Sequence, residues 1–456
     1  RSYGHAAVNY DPLGLQSPRE VPELRLDTYG LTDEDLGKEA VLSGALGFDR
    51  VQLRELWNAL NFIYSSRIGA EFMHLESSEE RHWFMEKMEA LQSGLTNEVA
   101  TRKRALETLV ETQMFEHFLH TKFPGTKRFS IEGSESSLCA LELVIHLSTA
   151  FGVREFVIGM AHRGRLNTLT KVMGKPYHAM LSEFRGEKAF PEDLPFPGDV
   201  KYHLGYSSDI AIDGRSVHLS LAPNPSHLEA VNSVVLGKVR AKQDMQNDER
   251  RENVLGVLLH GDAAFSGQGT VFESLSLSQL DAYHTGGTMH IVINNQIGFT
   301  TGSKEGRFTQ YCTDIIKSIG APVLHVNGDD VDAVLWATQV ASEYRAKFKK
   351  DVCLDIIGCR KYGHNEGDEP FFTQPKMYKV IADHPTQEVL YAEVLMREGT
   401  ITQAEYEKKK AQFKARLEGE FDKSQGYKPT IADWLKGKWQ GFEHGQKKEL
   451  STGGSR

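Results

Sequence analysis

Residues Val254 to Gly298 read VLGVLLHGDAAFSGQGTVFESLSLSQLDAYHTGGTMHIVINNQIG, and this stretch decides the fold. Val254 to His260 is apolar except for its last residue, and a run of that kind bounded by Gly-Asp reads as a strand buried on both faces. Asp262 sits just past its carboxyl end. A Gly-rich turn (Gly267, Gly269) leads into a segment of helical character from Val271 to Tyr283, which Gly286-Gly287 stop ahead of a β-branched run, Ile291-Val292-Ile293. Asn294 and Asn295 close that second strand. A strand, a crossover helix and a parallel strand bring both carboxyl ends to one edge of the sheet, so Asp262 and Asn295 are expected to converge there. That edge is where open α/β sheets bind ligands.

One carboxylate, one amide oxygen and the nearby backbone carbonyl of Ile297 make a hard, oxygen-only half-shell. Such a shell suits magnesium, which completes its octahedron with water and phosphate oxygens. The small residues Ala263 and Ala264 would let a diphosphate approach the backbone. GDAA followed at this interval by NN resembles the diphosphate-binding motif of thiamine-diphosphate enzymes, usually GDG then NN; Ala263 in place of the glycine is a departure typical of the 2-oxoglutarate dehydrogenase family. The competing reading of the stretch alone is a plain βαβ unit whose Asp and Asn cap turns.

Working outward, 456 residues leave room for two or three domains and a large core. A net charge of −9 offers no basic stripe to neutralise phosphates, which argues against a nucleic-acid partner. No apolar run reaches the ~18 residues of a membrane span, and no signal-peptide pattern opens the chain. Cys139, Cys312, Cys353 and Cys359 are scattered without metal-ligand spacing, as expected of ordinary buried thiols in a reducing compartment. The chain opens on Arg1 and closes on Ser-Thr-Gly-Gly-Ser-Arg, a tail flexible by composition, and reads as a piece of something longer.

Residues 1–112 read as a mostly helical N-terminal region: Leu53, Leu56, Trp57, Leu60 and Ile63 share one stripe, and Ser77 with Glu80 has capping-box spacing. Only Ile68 to His74 stands out there as a candidate for anything beyond packing. Residues 113–380 change to short apolar runs, each followed by a polar turn and in most cases a helix, which predicts an α/β domain with a parallel sheet and helices on both faces. The runs are Phe156–Ala161, Val217–Ala222, Val254–His260, Met289–Ile293, Val323–Val326 and Val352–Ile357. Residues 381–456 read as a helical, charged linker, with Thr402 and Glu405 as a further capping box.

The turns after these runs carry the chemistry. His162-Arg163-Gly164-Arg165 offers an imidazole and two guanidiniums to phosphate or carboxylate, or is a solvated basic turn. In Pro223-Asn224-Pro225-Ser226-His227-Leu228-Glu229, Ser226 and Glu229 are spaced to cap a helix running toward Lys242, and Ser226 can touch a ligand at that helix start as well. His203 lies beside Tyr202 in a Gly-flanked segment, and His364 lies in a dense polar loop after the last strand.

MAHRGRLN, DVKYHLG, NPSHLEAV, HGDAAFSGQG, INNQIGFTT and YGHNEGDEP occur in this order, and together they resemble the first, decarboxylating component of the 2-oxoglutarate dehydrogenase complex. The resemblance is strongest over about 128–380. It implies a thiamine-diphosphate-binding fold, with 113–380 as the diphosphate-binding domain. It further implies magnesium on Asp262, Asn295 and the Ile297 carbonyl, with Arg163, Ser226, Leu228, Asp262, Ala263, Ala264 and Asn295 lining the thiamine diphosphate. His203 and Ser226 would face the substrate, with His162 close by, and His162, His203 and His364 would be the catalytic imidazoles. The implied activity is that of a 2-oxoglutarate dehydrogenase of the tricarboxylic acid cycle: decarboxylation of 2-oxoglutarate and transfer of a succinyl group to a lipoyl domain of the succinyltransferase core. The family context also implies a homodimer, in the cytoplasm of a bacterium or alternatively a mitochondrial matrix. The second α/β domain that binds the pyrimidine ring in this family is not found after residue 380, so the isolated chain is expected to be inactive. A 2-oxoadipate-preferring relative and a non-catalytic assembly subunit are the alternatives.

Overall fold

The computed structural model describes residues 1–95, 97–190 and 199–429. Its centre is an eight-stranded sheet: β1 (Ile68–Glu71), β2 (Glu155–Met160), β3 (Tyr206–Ile212), β4 (Arg215–Leu221), β5 (Val254–Gly261), β6 (Met289–Asn294), β7 (Val323–Asn327) and β8 (Val352–Ile357). The spatial order is β1-β7-β8-β6-β5-β2-β4-β3. The six inner strands are parallel, and β1 and β3 run antiparallel along the two edges.

The inner strands are those expected from the apolar runs, and the reason is visible in their two faces. In β5, Leu255, Val257 and Leu259 join the large core cluster, while Val254 and Leu258 pack with Val231, Val235 and Val239 on the other side. Both faces are covered by helices: α1 (Leu53–Ser65), α2 (Ser78–Glu89), α3 (Val99–Lys122), α4 (Ser136–Ala150), α5 (Tyr177–Phe184), α6 (Val231–Gln246), α7 (Asp262–Gly267), α8 (Gly269–Ser278), α9 (Val331–Phe348), α10 (Pro375–Asp383), α11 (Gln387–Arg397) and α12 (Gln403–Lys423). The side chains of α4 and α9 pack with the first set of strand residues, and those of α6 and α8 lie on the opposite side. The fold is α/β, a mostly parallel sheet between helical layers.

Two edge strands were not in the expected set. β1 comes from the region read as helical, and pairs with β7 so that Ala70 faces Leu324. β3 forms a hairpin with β4 through Asp213-Gly214, both at positive φ (47° and 76°), the conformation a two-residue hairpin loop requires. The capping expectations divide. Thr402 and Glu405 make the reciprocal box, and Ser77 accepts from the Glu80 amide. Ser226 does not cap α6, which begins only at Val231. The crossover helix after β5 breaks at Gln268 into α7 and α8 and ends at Ser278 rather than Tyr283. Gly286 and Gly287 are both left-handed (φ 76° and 84°), and a Cβ on Gly287 would lie 2.3 Å from the Lys350 carbonyl oxygen. The Ser-Thr-Gly-Gly-Ser tail lies outside the described residues. Among those described, no helix is long and apolar enough to cross a membrane.

The chain leaves β2 toward β4 in one direction and returns to β5 on the other side of β2. The carboxyl ends of β2 and β5 therefore flank a topological switch point, where a crevice opens.

Candidate functional site

The β5–β6 register pairs Gly261 with Ile293, so the residues that follow, Asp262 and Asn294-Asn295, emerge side by side at this crevice. Asp262 opens α7 and is buried, as is Asn295. Asn294 anchors the end of β6 by donating to the Asp355 carboxylate at 3.0 Å. Gln296 then turns the chain at φ 65°, and its side chain donates to Asp11 at 2.8 Å and to the Gly358 carbonyl at 3.1 Å. Asp11 itself accepts from the amides of Leu13, Leu15 and Gln16. Beyond this turn Ile297–Gly298 pairs with Thr301–Gly302, and Gly298 lies directly on Ala263: a Cβ at 298 would sit 2.5 Å from that of Ala263. The turn that carries Asn295 and Ile297 is thereby packed against the residue after Asp262.

Burial pushes the Asp262 carboxyl up to about 7, opposed by the guanidinium of Arg307 at 4.0 Å and reinforced by Asp355. A carboxylate so desolvated favours a cation beside it. With the amide oxygen of Asn295 and a backbone carbonyl next door, the donor set fits a hard divalent ion. Among the described residues no group of three or more His, Cys, Asp or Glu could hold a metal, so a cation here would rely on neutral oxygens and on its own ligand.

A small cavity lies against the ends of β2, β5 and β6, lined by Met160, Ala161, Arg163, His260, Gly261 and Asn295 among others. Arg163 is fixed by donating to the carbonyls of Ser130 at 2.7 Å and His364 at 3.0 Å. Burial, with the neighbouring Arg360, lowers its pKa to about 10, which leaves it cationic at neutral pH. Arg165, read with it as an anion donor, has another job. Fully buried, it donates to the carbonyls of Met160, Leu204 and Ala222 and ties three segments together.

Two of the three imidazoles lie against Phe129, His162 at 4.9 Å and His364 at 5.5 Å between ring centroids, and His203 joins them through His162 at 5.1 Å. His162 Nε2 and His203 Nε2 are 3.0 Å apart, and His203 Nδ1 is 2.9 Å from Asp199. Burial, with His203 and Arg165 close by, lowers His162 to about 4, so its ring is neutral at pH 7. With His203 Nδ1–H donating to the Asp199 carboxylate, the network is satisfied when His162 Nε2–H donates to His203 Nε2. Burial and the Arg163 and Arg360 charges lower His364 too.

Ser226 is exposed and Leu228 half-buried, on the loop after β4. That loop is held to the cluster by the Asn224 amide, which donates to the His203 carbonyl at 2.9 Å. Ser226 itself makes no hydrogen bond among the described residues. Glu229, expected to complete its cap, is left-handed (φ 68°) and turns inward, accepting from His260 Nδ1 at 2.7 Å and Asn232 at 2.8 Å. His260 continues to His290 at 3.0 Å, and His290 lies 3.4 Å from Asp351, a buried polar chain beneath the crevice. Ala264 is buried on α7.

Sequence reading missed Phe129, Tyr202, Glu366, His260 and Arg307. Glu366 accepts three successive amides, Arg128, Phe129 and Ser130, and so builds the turn on which the imidazoles rest. Its only signal was membership of the polar loop containing His364. Phe129 and Arg307 carried none.

The dehydrogenase E1 component family matches residues 107–432. The chain is 50% identical over 456 residues to the 2-oxoglutarate dehydrogenase E1 component of Rickettsia felis, covering 99% of this chain and 46% of that protein. It is 49% identical to that of Rickettsia typhi over 99% of this chain and 48% of the relative, and 47% identical to that of Brucella anthropi over 97% and 45%. The chain spans about half the length of the curated relatives it matches. On the extent of that match, and with the crevice where such a fold would put it, the chain belongs to the dehydrogenase E1 component family.

Proposed function

We propose that this chain supplies the diphosphate- and magnesium-binding half of a 2-oxoglutarate-decarboxylating site, the α/β region 113–380 being the diphosphate-binding domain. The observation that carries the reading is the meeting of two donor sets at one switch point: buried oxygens of Asp262 and Asn295 on one side, the His162–His203 pair on the other. Asp262, Asn295 and the Ile297 carbonyl would hold magnesium, and Arg163, Ser226, Leu228, Ala263 and Ala264 would line thiamine diphosphate. When bound, that cofactor supplies the carbanion and the electron sink that decarboxylation needs. The protein supplies orientation and fixed dipoles. For His203, held by Asp199, and His162, held by His203, to donate to the distal carboxylate or keto oxygen of a dicarboxylic 2-oxo acid, their mutual hydrogen bond opens or the pair takes up a proton, and an incoming carboxylate favours both; Ser226 and His364 stand at the same rim. Pyruvate would leave those donors unpaired, which disfavours it.

In this reading the product is a succinyl group passed to a lipoyl domain of the succinyltransferase core, by a homodimer in a bacterial cytoplasm. The name the relatives carry supports the activity, and their sources support a bacterial setting. The test is His162→Ala and His203→Ala in the intact protein. Decarboxylation of 2-oxoglutarate is expected to fall about 10–100-fold per lost charged hydrogen bond, with magnesium and cofactor affinity nearly unchanged. Undiminished rates in both variants, or equal rates on pyruvate and 2-oxoglutarate in the parent, would overturn the reading; 2-oxoadipate in parallel fixes the preferred acid length.

A further inference from the structure

Arg307 is placed in a way that packing does not explain. It follows the short ribbon Thr301–Gly302 and the single turn Ser303–Gly306, and its side chain is largely covered, at 15% exposure. Yet a guanidinium has five N–H donors, and the one hydrogen bond this one makes among the described residues is a long contact, 3.5 Å from Nη2 to the Gln310 carbonyl. Its Nε is buried without an acceptor. Leaving such a donor unsatisfied costs free energy, and more for a charged group than for a neutral one. The nearest carboxylate oxygen is Oδ2 of Asp262, 4.0 Å from Nη1: close enough for attraction, too far for a good hydrogen bond.

We infer that Arg307 is a diphosphate-binding residue that stands in for the metal at Asp262 until the metal arrives. The inference rests on the reading of Asp262 as a cation ligand. Magnesium and a guanidinium repel each other at one carboxylate, so the ion must displace Arg307. A diphosphate arriving with the ion brings the anionic oxygens that the freed guanidinium lacks, and Arg matches phosphate with two parallel donors. Arg307 thus opposes the metal by itself and favours the metal–diphosphate pair. The exchange makes uptake of the two components cooperative.

This predicts opposite signs in one variant. Calorimetry on the intact protein would use magnesium alone, then thiamine diphosphate with magnesium in excess, then inorganic pyrophosphate with magnesium in excess. In Arg307→Ala, magnesium alone is expected to bind several-fold tighter. Thiamine diphosphate and pyrophosphate should both bind about 10–100-fold more weakly, the loss of a charge-assisted hydrogen bond or two. Arg307→Lys, which keeps the charge and loses the fork, should fall between. Weaker or unchanged magnesium binding in Arg307→Ala, or unchanged affinity for both diphosphates, overturns the inference. Asp262→Ala separates the two levels: if it abolishes magnesium binding while Arg307→Ala moves nothing, the inference fails and the cation site stands. If Asp262→Ala leaves magnesium binding intact, the cation site itself is wrong and the inference goes with it.

Discussion

Gly298 has an ordinary backbone conformation, so replacing it with Ala tests space alone. The new methyl would lie 2.5 Å from the Ala263 Cβ, against the 3.5–4.0 Å of a relaxed carbon–carbon contact. The ribbon must therefore retreat from α7 by about 1 Å, and overpacking of this kind costs about 1–3 kcal/mol. The retreat moves Asn295 and Ile297 relative to Asp262, and a misplacement of about 1 Å at such a site can cost on the order of 100-fold. Gly298→Ala is thus expected to weaken magnesium–thiamine diphosphate binding by ten- to a hundredfold, read by calorimetry, with a lower unfolding midpoint. The decisive arm is the double variant Ala263→Gly with Gly298→Ala, which moves the methyl across the same gap. It should recover most of the lost affinity, while Ala263→Gly alone costs at most the ~1 kcal/mol of a helical glycine. A double-mutant cycle would show strong favourable coupling. Additive losses, or full affinity in Gly298→Ala, would refute the argument that these two positions share one methyl's worth of room.

Glu135 is buried and makes no ion pair among the described residues, and burial pushes its carboxyl up to about 8, with Glu132 and Asp329 adding to the shift. Its folded pKa lies above the unfolded value of about 4.5, so its contribution to stability is complete below pH 4.5 and is lost as pH rises to 8. The loss reaches on the order of 3 kcal/mol at pH 7. Glu135→Gln keeps the acceptor for the Gly133 amide and should be more stable than the parent by a margin that grows from pH 5 to 8 in chemical denaturation; a margin independent of pH would refute it. Arg165→Met orphans three carbonyls at about 1–3 kcal/mol each, so the denaturation midpoint should drop sharply; a drop under about 1 kcal/mol would mean the clamp is not structural.

How much of this was legible beforehand follows from what each segment buries. The six inner strands lie between helical layers on both faces, and continuous apolar runs announce such strands. The edge strands announce themselves less. Ile68–Glu71 is four residues with a glycine and a glutamate, and Glu71 is tolerated inside only because His325 at 3.0 Å and Lys317 at 2.7 Å meet its carboxylate, partners more than 240 positions away. β3 does leave a local mark, the Asp213-Gly214 pair between Ile212 and Arg215, which is a two-residue hairpin signal. At the site, motif spacing was enough to bring Asp262 beside the Asn294-Asn295 turn, because parallel register is set by the strands themselves. The Ser226–Glu229 spacing misled because a buried histidine competes for the glutamate more strongly than a helix end does. Arg163 and Arg165 look alike in sequence and differ only in what surrounds them: one borders a cavity, the other three backbone carbonyls.

The tether between Gln296 and Asp11 has a reach that the site's own residues do not suggest. Asp11 gathers three amides of the opening segment and offers its remaining capacity to the side chain at the apex of the Asn-Asn turn. Gln16 answers from the same segment, donating to the oxygen of that Gln296 amide at 2.9 Å. Residues 11–16 and the turn after the sheet's Asn-Asn pair are thereby joined by two side-chain hydrogen bonds. A displacement of that turn has to carry this segment with it or break those bonds, although the segment lies about 280 positions away in the chain.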